Sequence, residues 1–195
     1  MEKLATTHDL QTRLTVVLDT VAREFAHLSD AQLRARPAPG KWSIVECLQH
    51  LNLAERYYVR QLQHKTDRLG LVQHNPTDQT LESDWVGRLM LKFLDPKSTT
   101  KIPAPGLVRP RSASDLNPAE VMSQFLELQT LQRDVLNKLT YLDWNQEKVP
   151  TLFGNWLKMR LGDVVRMLVV HTERHLQQAL RTKAEIATFA PVNKP

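Results

Sequence analysis

The sequence is poor in the residues that cross-link or punctuate a chain. Its single cysteine, Cys47, excludes an internal disulfide and fits a reducing compartment. Only six glycines in 195 residues argue for long, uninterrupted elements over many tight turns. No apolar run approaches the roughly 20 residues needed to span a bilayer. The opening stretch MEKLATTHDLQTRL lacks the apolar core of a secretory signal, so a cytoplasmic protein is expected. There is no internal repeat and no low-complexity tail. A dense basic stripe is missing too. The net charge is +5, but lysine and arginine are scattered among acids, which argues against a nucleic-acid footprint. What is present, 42% hydrophobic and 24% charged residues, is the composition of a soluble globular chain, long enough for one domain with a sizeable core and hardly for two.

Apolar residues recur at helical spacing in four segments. The first covers about 6–28, with Leu10, Leu14, Val17, Val21, Phe25 and Leu28 in register. The breaker cluster Arg36-Pro-Ala-Pro-Gly40 follows. A second helix over about 43–68 starts at Ser43-Ile-Val-Glu46, a capping box in which serine and glutamate satisfy each other's backbone amides. The third covers about 117–140, opened by Asn117-Pro118, and carries Val121, Phe125, Leu128, Gln132, Val135 and Leu139. The fourth covers about 160–184, with a seam of Leu161, Val164, Leu168, His171, His175 and Gln178. Its start, Lys158-Met-Arg160-Leu-Gly162, lacks the usual capping residue. Between the second and third helices lies a long connection, about 70–116. Its stretch Ser83–Leu94 has an apolar face of Trp85, Leu89 and Phe93 and predicts a short helix, and the rest is proline-rich and extended. Four amphipathic helices with one long crossover predict an all-α four-helix bundle forming a single domain over 1–195.

The fourth seam poses the chemical question. Residues four apart on a helix are offset by about 40° and rise about 6 Å, so His171 and His175 project from one face within reach of one ion. The spacing is not that of the zincin H-E-x-x-H motif, because Thr172 stands where its glutamate would be. His50, on the second helix, is the candidate third ligand. Buried imidazoles with unpaired nitrogens cost roughly 1–3 kcal/mol each, and a divalent cation would satisfy one nitrogen per ring. The alternative is a pair of core histidines held by hydrogen bonds. Three neutral imidazoles suit zinc, nickel, iron or copper, and leave a position open to water. Gln178 either orients a ligand or closes the seam. Glu46 is explained by capping, and Cys47 by packing as a small core residue, although a thiol there could also act as an outer ligand. His8, His27, His64 and His74 read as surface residues.

These residues carry a resemblance. Gly40-Lys-Trp42-Ser43, Glu46, His50-Leu51 and His171-x-x-x-His175-x-x-Gln178 resemble the DinB-like superfamily, the damage-inducible metal-binding four-helix bundles that include the YfiT-type hydrolases. The resemblance places the family's metal ligands on His50, His171 and His175. It implies an up-down-down-up bundle, commonly a homodimer, with a divalent metal, zinc or nickel foremost and iron as a further option. Relatives include transferases that use low-molecular-weight thiols. The family name refers to induction by DNA damage and does not imply nucleic-acid binding.

Two functions are consistent with this pattern. One is a metal-dependent hydrolase or thiol-dependent transferase acting on a small molecule, with the 70–116 segment walling the pocket. Arg109 and Arg111 would then hold an anionic group or be solvated loop charges, and Trp42 would stack on substrate or plug the bundle end. The other is a non-catalytic metal- or ligand-binding bundle of a stress response. No catalytic residue is assigned by the sequence.

Overall fold

A computed structural model describes residues 1–68, 78–98 and 104–189. The elements are α1 (Lys3–Phe25), α2 (Asp30–Arg34), α3 (Ile44–Asp67), α4 (Trp85–Leu94), α5 (Pro118–Leu139) and α6 (Leu161–Phe189), with strands β1 (Lys148–Thr151) and β2 (Gly154–Arg160) ahead of α6. Single 3-10 turns at Gly106–Val108 and Ala113–Asp115 lie between α4 and α5. All four expected long helices and the short crossover helix are present. The short α2 and the β-hairpin are not in the sequence reading. His74 lies outside the described residues.

Bonds between helices set their directions. Asn52 donates to the Val121 carbonyl and Gln129 to Glu55, so α3 and α5 run parallel. Arg13 pairs with Glu173 at 2.6 Å and Lys183 with Glu24 at 3.0 Å, so α1 and α6 run parallel. His50 meets His171 while Thr182 donates to the Trp42 carbonyl, so α3 and α6 are antiparallel. The order is therefore up-down-down-up. The long crossover between α3 and α5 is what allows these neighbours to point the same way.

Two apolar clusters fill the bundle, and each fully buried side chain contributes roughly 1.5–3 kcal/mol. One gathers Leu10, Leu14, Tyr58, Leu62, Leu136, Leu139, Trp144 and Leu161–Val169 residues. The other gathers Val17, Val21, Phe25, Ile44, Leu48, Leu51, Val121, Phe125 and Leu176. Between them α3, α5 and α6 bury several polar side chains: Asn52, Glu55, Gln129, Gln132 and Thr172. The bundle thus has a polar waist, and the histidines stand beside it.

The missing cap of α6 has a physical answer. The helix leaves β2 with no intervening loop, and its first amides are met by backbone carbonyls of the segment just before β1. Leu161 N–H donates to the Glu147 carbonyl at 2.8 Å and Gly162 N–H to that of Trp144 at 3.2 Å. Lys148 pairs with Arg160 and Val149 with Met159 in the antiparallel hairpin, and Val149 and Met159 are fully buried.

Candidate metal centre

Ser43 fixes where α3 begins. Its amide donates to Glu46 Oε2 at 2.8 Å, and the Glu46 amide donates to Ser43 Oγ at 3.3 Å. Glu46 also binds Arg36, so its carboxylate is spoken for. That start places His50 about two turns into α3, facing α6. The His50 ring lies 2.7 Å from the Val108 carbonyl through Nδ1. Only a protonated Nδ1 can make this bond, so the lone pair of His50 is on Nε2. His50 Nε2 is 3.1 Å from His171 Nε2. On α6, His175 Nδ1 is 3.0 Å from Gln178 Oε1, which likewise leaves its lone pair on Nε2.

The three rings form a compact cluster. Centroids are 5.1 Å apart for His50 and His171, 4.5 Å for His50 and His175, and 4.7 Å for His171 and His175. One nitrogen of each ring lies within 4.8 Å of the other two. Among the described residues, no acidic side chain or cysteine joins this group. His50 is buried, and His171 and His175 keep partial exposure as whole residues. Three nitrogens each about 2.0–2.1 Å from one tetrahedral ion would be about 3.3 Å apart. The 3.1 Å separation of His50 and His171 fits such an ion with little movement.

Burial holds all three rings in the neutral form that a metal requires. Desolvation lowers the His50 pKa against the raising effect of its bond to Val108. Desolvation drives His171 well below the ordinary value, with the charges of His175 and His50 acting in the same direction. Desolvation takes His175 down to about 3.

Several sequence expectations resolve here. Gln178 does orient His175. The described part of the crossover reaches the cluster through Val108, which is buried and whose carbonyl meets His50, and is tied to α3 nearby by the Arg111 backbone amide, which donates to Gln49 Oε1 at 2.7 Å. Trp42, half-buried, sits against the cluster, its ring tilted over two of the histidines at 5.0 Å from His50 and 5.8 Å from His175 by ring centroid. The Arg109 and Arg111 side chains are exposed. Cys47 is fully buried in the apolar cluster, and burial pushes its thiol pKa up, so it is a packing residue. His8, His27 and His64 are exposed as expected. The Val108 carbonyl was not foreseeable, since a backbone acceptor leaves no mark in residue identity.

Residues 13–179 match the DinB superfamily. No curated protein matches the chain by sequence. Among solved structures the fold is similar to YfiT from Bacillus subtilis, described as a probable metal-dependent hydrolase with an unusual four-helix bundle topology. The TM-score is 0.55 at 13% identity, over 93% of this chain and 87% of that one, a likeness of fold. No helix among the described residues is long and apolar enough to cross a membrane. With a bundle of this order and a family match over most of its length, the chain belongs to the DinB superfamily.

Proposed function

We propose that His50, His171 and His175 hold a divalent cation and that the chain acts there on a small molecule, as a metal-dependent hydrolase or a thiol-dependent transferase. The observation that carries this reading is the convergence of three neutral rings, two from α6 and one from α3, with His50 and His171 meeting Nε2 to Nε2 at 3.1 Å. A divalent cation bound there supplies a Lewis acid and lowers the pKa of a water or thiol in its open position. The chain's own part is positional. Val108 and Gln178 each accept from a ligand Nδ1–H, which fixes tautomer and ring direction. Trp42 covers the His50 and His175 rings on one side and limits solvent access. The donor set of three imidazoles suits zinc, nickel, iron or copper, and it is the family resemblance that puts zinc or nickel foremost.

The family membership and the fold likeness to a metal-dependent relative support the reading. The second reading, a metal- or ligand-binding bundle without catalysis, is favoured by one observation: no acidic residue among the described residues joins the three rings as a general base. Elemental analysis of untagged protein should find about one cation per chain, and the His171→Ala/His175→Ala double variant should lose it. Stoichiometric metal in that variant would defeat the ligand assignment. A thermal-shift screen of low-molecular-weight thiols, with and without metal, then tests the transferase reading: a metal-dependent shift for one thiol supports it, and no shift for any thiol favours the non-catalytic bundle.

A further inference from the structure

The polar waist contains a carboxyl group that the metal centre does not use. Glu55, on α3, is fully buried. Its Oε1 lies 2.5 Å from Thr172 Oγ1 on α6, and its Oε2 accepts from Gln129 Nε2 on α5. Both partners are fully buried as well.

Thr172 has one proton for two neighbouring oxygens. Its hydroxyl lies within hydrogen-bond distance of two oxygens, Glu55 Oε1 and, at 3.0 Å, the Leu168 carbonyl. A hydroxyl carries one hydrogen and cannot donate to both. If Glu55 is ionised, one of these short contacts is oxygen against oxygen with no proton between. If Glu55 carries a proton, all three bonds form: Glu55 O–H donates to Thr172, Thr172 O–H donates to Leu168, and Gln129 donates to the remaining Glu55 oxygen.

The surroundings favour the same state. A buried carboxylate needs a cation or a set of donors to offset lost hydration. No cationic side chain among the described residues pairs with Glu55. The titratable groups near it in sequence are turned to other partners: His171 to His50, Glu173 to Arg13, and Arg56 to Gln124. On α5, Gln132 is buried with neither amide atom bonded, and on α3 the Asn52 side-chain oxygen is unbonded, so the waist offers no charge. From α1 the core receives the apolar Leu10, Leu14 and Val17.

We propose that Glu55 is an internal proton-binding site, a neutral carboxylic acid that joins α3, α5 and α6 at mid-bundle. Burial is the main cause raising its pKa, to about 7, against the lowering effect of its two hydrogen bonds. A carboxyl whose folded pKa lies above its unfolded value stabilises the fold fully at low pH. That contribution is lost as pH rises from the ordinary carboxyl value of 4.5 through about 7, and the loss is complete above it.

The test is infrared difference spectroscopy on the full chain, a pH unit below and above that value, beside Glu55→Gln. Glutamine keeps the shape, can donate to Thr172 and accept from Gln129, and cannot ionise. The wild type should show the carbonyl band of a protonated carboxyl that fades as pH rises, and the variant should lack it. The folding equilibrium constant of the wild type should fall relative to Glu55→Gln by up to about tenfold per pH unit across that window. Parallel pH curves, or an ionised Glu55 throughout, would overturn the proposal. If Glu55→Gln does not fold, the wild-type carboxyl resonance, followed by carbon NMR with labelled glutamate, decides it alone.

Discussion

Gln178 shows how much can rest on one side chain outside the ligand set. It holds His175 by its Nδ1–H, and without it that ring can turn or change tautomer. Gln178→Leu keeps the volume and removes the acceptor. Its metal affinity should fall about 10- to 100-fold, read by competition with a coloured chelator, while unfolding of the metal-free protein stays close to wild type. An unchanged affinity would make Gln178 a mere seam residue. The sequence disclosed this much because His175 and Gln178 share one helix, where spacing alone fixes proximity. It disclosed His50 by resemblance and by its place beside the apolar face of α3. Of the polar waist only Gln132 was legible, as a member of the third helix's inward seam. Asn52, Glu55, Gln129 and Thr172 look like ordinary surface residues until three helices close around them, and Gln129 replaces the expected Leu128 at the buried position.

The elements that periodicity reveals best are long and half-exposed, which is why α1, α3, α5 and α6 were readable. The hairpin was not, because β1 has only four residues and burial along the seven-residue β2 does not alternate. Its one clear sign was negative: a helix starting at Leu161 with no capping side chain must be capped by something else, and backbone carbonyls serve. Gly154 marks its turn with φ of 124°, a region side chains rarely tolerate. The crossover helix α4 depends on another glycine. A Cβ at Gly87 would sit 2.0 Å from Asp163 Oδ2, and Asp163 is fully buried where it accepts from Ser83 Oγ at 2.6 Å. Gly87→Ala therefore has to push α4 off α6 or turn Asp163. It should cost about 1–3 kcal/mol, seen as a lower thermal midpoint, whereas alanine at the uncrowded Gly106 should be nearly neutral.

For the whole molecule, the waist and the histidines pull stability in opposite directions as pH changes. The three rings have folded pKa values below the ordinary 6.5, so the unfolded chain takes up protons first as pH falls. Their contribution to stability is complete above about 6.5 and is lost on acidification toward about 3, the value of His175. Metal-free protein should therefore lose urea resistance steadily below the ordinary histidine range. The His171→Ala/His175→Ala variant should show a shallower acid slope, and equal slopes would mean that the rings are not buried neutral in solution. Metal should reinforce the effect, since protonated imidazole cannot ligate and acid would discharge the centre together with the fold.

His50 and His171 are separated by 121 positions in the chain, yet their rings touch. During translation the first of them leaves the ribosome long before the helix that bears the other two exists. A nascent chain thus offers a passing ion one isolated imidazole for most of its synthesis. An ion held as proposed can meet all three ligands only after α6 has been synthesised.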